Sequence, residues 1–140
     1  MTRMGEPPAH RFAVRVYFED TDAGGVVYHA SYLRFAERAR TEWLRDLGLP
    51  HRQLIDGQGL IFVVKRLAIE YHRPARLDES LVVETRVAGI GGASVVLQQE
   101  IVRGGEGIAT LKVALACVRL ATGRPQRIPA TLRAVIHPVS

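Results

Sequence analysis

From about Ser31 to Leu47 the apolar residues of this chain recur on a helical period, and on both sides of that segment they recur on a period of two. Tyr32, Ala36, Ala39, Trp43 and Leu47 share one helical stripe, flanked by Leu33, Phe35 and Leu44, while Arg34, Glu37, Arg38, Thr41 and Arg45 take the other face. Ser31 is placed to cap this helix, Gly48 to stop it, and Pro50 follows. A lone amphipathic helix has to be covered by something, and the rest of the chain offers strands to do it. Arg40 breaks the pattern by falling inside the apolar arc. The preferred reading is a snorkelling or surface-paired arginine, and the alternative is a pairing in a subunit interface.

Before the helix, "FAVRVYF" sets Phe12, Val14, Val16 and Phe18 against Ala13, Arg15 and Tyr17, the mark of a half-buried strand. After it, "PHRQLIDGQG" suggests a short second helix, and four strand patterns follow. In "LIFVVKRLAIEYHRP", Leu67, Ile69 and Tyr71 alternate with Arg66, Ala68, Glu70 and His72. "ESLVVETRVAG" and "ASVVLQQEIVRG" come next, and "GIATLKVALACVRL" sets Leu111, Val113, Leu115 and Cys117 against Lys112, Ala114 and Ala116. Glycine turns at Gly89–Gly92 and Gly104–Gly107 predict consecutive antiparallel strands. The expected fold class is therefore α+β, a meander of strands curled around one long helix. Such a sheet has edges to protect, and pairing two copies edge to edge is one solution.

The bulk properties narrow the classes. At 140 residues with 47% hydrophobic content, the chain can fill one core. Residues 1–10, with Gly5, Pro7 and Pro8, read as a flexible lead-in, and 11–140 as a single domain. No apolar run is long enough to span a membrane, and "MTRMGEPPAHRF" has no apolar signal core. Cys117 is the sole cysteine and lies in an apolar run, so it reads as core filler in a reducing compartment, which predicts a cytoplasmic location. The net charge of +5 is carried almost wholly by arginine, which suits anionic partners: a phosphorylated small molecule, an acidic membrane surface or a nucleic acid. With 6% aromatics and no basic-aromatic strand, nucleic acid is set aside.

The chemistry concentrates in "EDTDAGGVVYHASY", Glu19 to Tyr32. Three acids in four positions precede two glycines, and His29 stands at the door of the helix. Gly24 and Gly25 let the backbone approach a ligand or take positive φ. Free N–H groups and the positive dipole end would face whatever sits at the helix start, and an oxygen gaining negative charge would be stabilised there. On residue types alone three readings stand: catalysis, helix-start capping and cation binding. The cation reading has no histidine support, because His10, His29, His51, His72 and His137 are scattered without ligand spacing. There is no G-x-S-x-G elbow and no G-x-x-x-x-G-K-[ST] loop, and "GIGGAS" at 89–94 misses the dinucleotide fingerprint at its last position.

The run "RVYFEDTDAGGVVYHASYLRFAERARTEWLR" resembles the hotdog-fold acyl-CoA thioesterases, specifically the 4-hydroxybenzoyl-CoA thioesterase-like group and its Tol–Pal-associated bacterial branch. "FVVKRLAIEYHRPARLDESL" at 62–81 is similar to that branch as well. The resemblance implies a hotdog fold, a five-stranded antiparallel sheet wrapped around one long central helix. It also implies a homodimer or homotetramer with the site at the subunit interface, and acyl-CoA as substrate without a cofactor or metal. By the shared motif Asp22 is the catalytic carboxylate, His29 helps position the thioester, and Asp20 is structural. Gly25, Val26, Tyr28, Tyr32, Phe62, Val63 and Arg66 are the implied substrate contacts; Leu60 to Val64, Tyr32 and Phe35 are equally good core residues. Tyr28 and Glu37 belong to the motif, although packing and a surface ion pair also explain them.

The implied chemistry is physically sound. A thiol has a pKa near about 8.5, so the leaving group needs little acid help. One carboxylate can deprotonate a water or attack the carbonyl itself. Some relatives carry basic residues in the turn between the third and fourth strands, where they meet CoA phosphates; this chain has Ile90, Gly91 and Gly92 there. Arg66, Arg73, Arg76, Arg124 and Arg127 are the substitutes to consider. An acyl-carrier protein is a second thioester donor to consider, and weak association with the inner membrane surface a further expectation. The competing functions are a dehydratase of acyl-carrier thioesters, using His29 and Glu37, and a non-catalytic dimer scaffolding a cell-envelope or lipid-synthesis complex.

Overall fold

A computed structural model describes residues 9–48 and 51–136. Most of the proposed lead-in, together with Leu49, Pro50 and the last four residues, lies outside that range. The elements are β1 (His10–Arg15), α1 (His29–Asp46), α2 (His51–Gln58), β2 (Leu60–Tyr71), β3 (Ser80–Ile90), β4 (Ser94–Arg103), β5 (Glu106–Arg119) and a short α3 (Ala130–Arg133). The five strands form one antiparallel sheet in the order β1-β3-β4-β5-β2.

The sheet curls around α1 because each strand buries one face. Leu81, Val83 and Val87 of β3, Val95, Leu97 and Ile101 of β4, and Leu111, Val113, Leu115 and Cys117 of β5 are buried. They enclose Tyr32, Phe35, Ala36, Ala39, Trp43 and Leu44, the predicted stripe of α1. β3, β4 and β5 are consecutive hairpins as the glycine turns imply. β2 departs from the four-strand meander: residues 72–79 leave the sheet, and β2 pairs with β5 at the far edge.

Three local readings are corrected. α1 begins at His29, two residues earlier than expected, with Tyr28 as N-cap and no side-chain cap; Ser31 is buried inside the first turn, where its Oγ accepts a bond from Arg34. Phe18 is 82% exposed rather than inward, because the chain leaves strand geometry after β1 and turns through a 3-10 segment at Phe18–Asp20. Arg40 is no surface residue: it is 9% exposed, and its Nη1 donates to Gln99 Oε1 at 3.0 Å. Gln99 occupies an inward position of β4 and is itself fully bonded, donating to the Ala36 carbonyl and to Thr85 Oγ1. Gln99 is tolerated in the core because its side-chain oxygen and both its N–H groups have partners.

Candidate active site

The acidic stretch folds into a tight loop that ends at the mouth of α1. Thr21 and Val27 bridge antiparallel, Asp22 N–H donates to the Val26 carbonyl at 2.9 Å, and Gly25 N–H donates to the Asp22 carbonyl at 3.1 Å. Gly25 sits at φ 78°, a conformation closed to most side chains, so the tip of the loop requires glycine there. Asp22 is exposed, and its Oδ1 accepts the Gly24 N–H at 2.8 Å. That bond orients the carboxylate and leaves Oδ2 without a hydrogen bond among the described residues.

Asp20 behaves oppositely. It is 3% exposed, its Oδ2 accepts the Tyr17 N–H at 2.8 Å, and Arg34 stands 3.6 Å from its Oδ1. Its carbonyl accepts the Tyr28 N–H at 2.8 Å, which fixes the entry to the helix. Two acids two residues apart therefore occupy opposite environments, one locked into the turn and one presented to solvent.

A second loop, 72–79, braces the first. Val27 N–H donates to the Ala75 carbonyl at 2.8 Å, Ala75 N–H donates to Tyr32 Oη at 3.0 Å, and Val26 bridges Arg76. Arg103 holds this loop by donating to the Pro74 carbonyl and to Glu79, and it also pairs with Glu106. The hydrogen bond from Arg103 holds the Glu106 carboxyl below its ordinary range, and its bonds to Glu106 and Glu79 push the guanidinium up in turn. Tyr32 is buried with its hydroxyl engaged, and burial pushes its phenol up. It acts as a prop behind the site.

His29 is the first residue of α1, and its imidazole is exposed. Its ring lies 4.3 Å from that of Tyr28 and 6.4 Å, edge-on, from that of Tyr71. Tyr71 also donates from its hydroxyl to the His29 carbonyl at 3.1 Å and packs 5.5 Å from Tyr32. With no capping side chain, the N–H groups of His29 and Ala30 point out of the helix without a helical acceptor. Asp22, Gly25, Val26, Tyr28, Tyr32 and His29 are thus gathered at one end of the molecule. Tyr71 and the Ala75 loop join them unforeseen. The signal for Tyr71 was its place as the last inward-phase residue of β2, directly before the chain turns away.

Phe62, Val63 and Arg66 are not gathered there. They lie toward the other end of β2, Phe62 buried and Val63 and Arg66 exposed. Beside them a cavity of about 250 Å³ opens between α1 and β2, with Arg40, Trp43, Leu44, Ile61, Phe62 and Val64 among its lining.

A sheet curled around one long helix, with an acid-bearing loop at the helix mouth, defines the hotdog class, and the family model described as the thioesterase-like superfamily matches residues 16–136, so the chain belongs to that superfamily. It is 48% identical over 126 residues to the acyl-CoA thioesterase YbgC of Haemophilus influenzae, covering 90% of this chain and 93% of that one. It is 42% identical over 123 residues to the acyl-CoA thioester hydrolase YbgC of Escherichia coli O6:H1, covering 87% and 91%. Among solved structures, the "Probable Thioesterase" of Bartonella henselae superposes with a TM-score of 0.83 at 42% identity, covering 86% of this chain and 99% of that one.

Proposed function

We propose that this chain hydrolyses acyl-CoA thioesters, with Asp22 as the reacting carboxylate. The observation that carries the reading is the presentation of Asp22: an exposed carboxylate, oriented by the Gly24 N–H, on a loop whose other members are tied down. In the base route Asp22 takes a proton from water, whose oxygen attacks the acyl carbon. In the nucleophilic route a carboxylate oxygen attacks and water later opens the anhydride. Either way the C–S bond breaks and CoA leaves as a thiolate. The N–H groups of His29 and Ala30 are placed to hold the oxyanion, at typically about 3–4 kcal/mol for one good donor. His29, set between Tyr28 and Tyr71, orients the thioester. The test is thiol release from a panel of acyl-CoAs by the wild type and Asp22→Asn. Hydrolysis should vanish in the variant while its melting curve stays put; full retained turnover refutes the assignment.

The working unit in this proposal is a homodimer, or a homotetramer built from it. Among the described residues β2 is an edge strand of 12 residues paired on one side only, with Val63, Val64 and Tyr71 exposed along it. Antiparallel pairing of two such edges about a two-fold axis removes the liability. It also sets the Phe62 end of one copy beside the Asp22 end of the other, which is how Phe62, Val63 and Arg66 join the substrate site. CoA phosphates then fall to the C-terminal segment. A Cβ on Gly92 would stand 3.5 Å from Arg127 Nη1, so Arg127 overhangs the turn that lacks basic residues of its own, with exposed Arg124 nearby in sequence. A Michaelis constant that rises with salt supports this, and a salt-independent one counts against it. A cytoplasmic location, an acyl-carrier protein as alternative donor and a weak hold on the inner membrane surface complete the proposal; fractionation and co-sedimentation with anionic vesicles test the location and the membrane contact.

A further inference from the structure

We infer that the cavity beside Arg40 is an acyl pocket that selects acyl groups ending in a carboxylate. The inference rests on the thioesterase reading above and gives it a substrate class. Arg40 is 9% exposed and lines the cavity, yet its one hydrogen bond among the described residues goes to the neutral oxygen of Gln99. A guanidinium is always charged, and burying a charge without a counter-ion is strongly unfavourable. No carboxylate among the described residues lies within ion-pair distance of it. Glu37, one turn earlier on the cavity wall, is the nearest acidic influence, and it is exposed, so water and salt screen it while Arg40 stays unscreened. The potential inside the cavity is therefore positive. Trp43, Leu44, Ile61, Phe62 and Leu115 make most of the wall apolar. A hydrocarbon body with an anionic tip matches both halves of that lining.

Size and placement agree. At about 250 Å³ the cavity equals roughly eight waters at ~30 Å³ each, enough for a short acyl chain. Phe62 and Tyr71 lie nine positions apart on β2, about 30 Å at ~3.3 Å per residue. That is beyond the reach of a short acyl group held at Asp22 of the same copy. Two-fold pairing of β2 edges centred near Arg66 sets the cavity of one copy beside Asp22 of the partner subunit. Each pocket then serves the other copy's carboxylate.

Glutaryl-CoA and valeryl-CoA share a five-carbon chain and differ only in the terminal carboxylate, so the ratio of their kcat/KM values reads the pocket directly. The wild type should favour glutaryl-CoA by tenfold or more. Arg40→Met keeps the stem and removes the charge, and should cut that ratio at least tenfold. Thr41→Glu supplies a fixed carboxylate from the half-buried cavity wall and should collapse the preference while sparing the Arg40–Gln99 bond, so it decides the question if Arg40→Met does not fold. A wild type that turns over valeryl-CoA without preferring glutaryl-CoA overturns the inference, as do variants that keep the wild-type ratio. Inactivity on both substrates and on the whole acyl-CoA panel instead refutes the thioesterase reading, and the inference with it.

Discussion

Replacing Asp20 and Asp22 one at a time should separate folding from chemistry. Asp20→Ala removes a charged acceptor whose side chain is 5% exposed and which holds the Tyr17 N–H at 2.8 Å. A hydrogen bond to an ionised group contributes about 1.5–3 kcal/mol, more when its loss strands a buried donor. Arg34, 53% exposed and 3.6 Å away, adds under ~1 kcal/mol after screening. The sum is about 2–3 kcal/mol, or a fall in melting temperature of roughly 5–12 °C for a chain of this size. Asp22→Ala loses only a bond to Gly24 within its own exposed turn, so its melting point should move by no more than about 1–2 °C. Its turnover should fall by about 10²–10⁴, the usual weight of a positioned acid or base. Thermal circular dichroism and thiol release on the same preparations read both quantities. If Asp20→Ala melts with the wild type, or Asp22→Ala is the less stable of the two, the division of labour between the acids is wrong.

Two further outcomes follow from the bracing of the site, and two more from the buried thiol of β5. Tyr71→Phe deletes the hydrogen bond to the His29 carbonyl and keeps the ring, so kcat should fall threefold to tenfold, equivalent to about 0.5–1.5 kcal/mol, with KM nearly unchanged; an unaltered kcat removes Tyr71 from any positioning role. Tyr32→Phe leaves the Ala75 N–H without its acceptor and should cost about 1–2 kcal/mol, read as a lower urea midpoint. Burial pushes the Cys117 thiol above its ordinary value, so the native protein should not react with a disulfide reagent at pH 8. Because the folded state resists ionisation, the stability owed to this group is complete below about pH 9 and declines as pH rises past it, while Cys117→Ala should show a shallower alkaline decline in melting temperature.

The covered helix and its stripe were legible because Tyr32, Phe35, Ala36, Ala39, Trp43 and Leu44 repeat on one period and nothing competes with it. β5 was legible for the same reason at period two. What failed to show was decided by distant partners. Arg40 looks like a surface residue until Gln99, 59 positions on, is seen to face it. Ser31 has the chemistry of a cap, yet the bond from Tyr28 N–H to the Asp20 carbonyl starts the helix earlier. Phe18 kept the strand's alternation in sequence, but the buried Asp20 pulls the chain into a turn before Phe18 can face inward. The pairing of β2 with β5 has no local signal, because loop 72–79 is drawn out of the sheet to brace Val26 and Val27. At the site, the acids and glycines were readable as residue types at short spacing. Tyr71, Ala75 and Arg103 reach it only through the fold.

That bracing is what would let an exposed loop carry the proposed reacting carboxylate. A loop of small residues with a glycine at positive φ would by itself sample many conformations, and a carboxylate on it would be poorly aimed. Here Asp20 anchors the entry, Ala75 and Arg76 pair with the return limb, and Arg103 locks the bracing segment to the sheet. Only residues 22–25 at the tip remain without such ties, and there the Asp22 carboxylate is held by the Gly24 N–H alone. Rigidity is thus supplied from behind the loop, which leaves its outer face open. What lies across that opening in a single copy is solvent. An apolar concavity with a charged wall sits toward the opposite end of the edge strand. In the proposed dimer a two-fold axis across β2 would bring the two halves together, so a variant that keeps each copy folded but separates the edges should lose turnover even with every residue of the Asp22 loop intact.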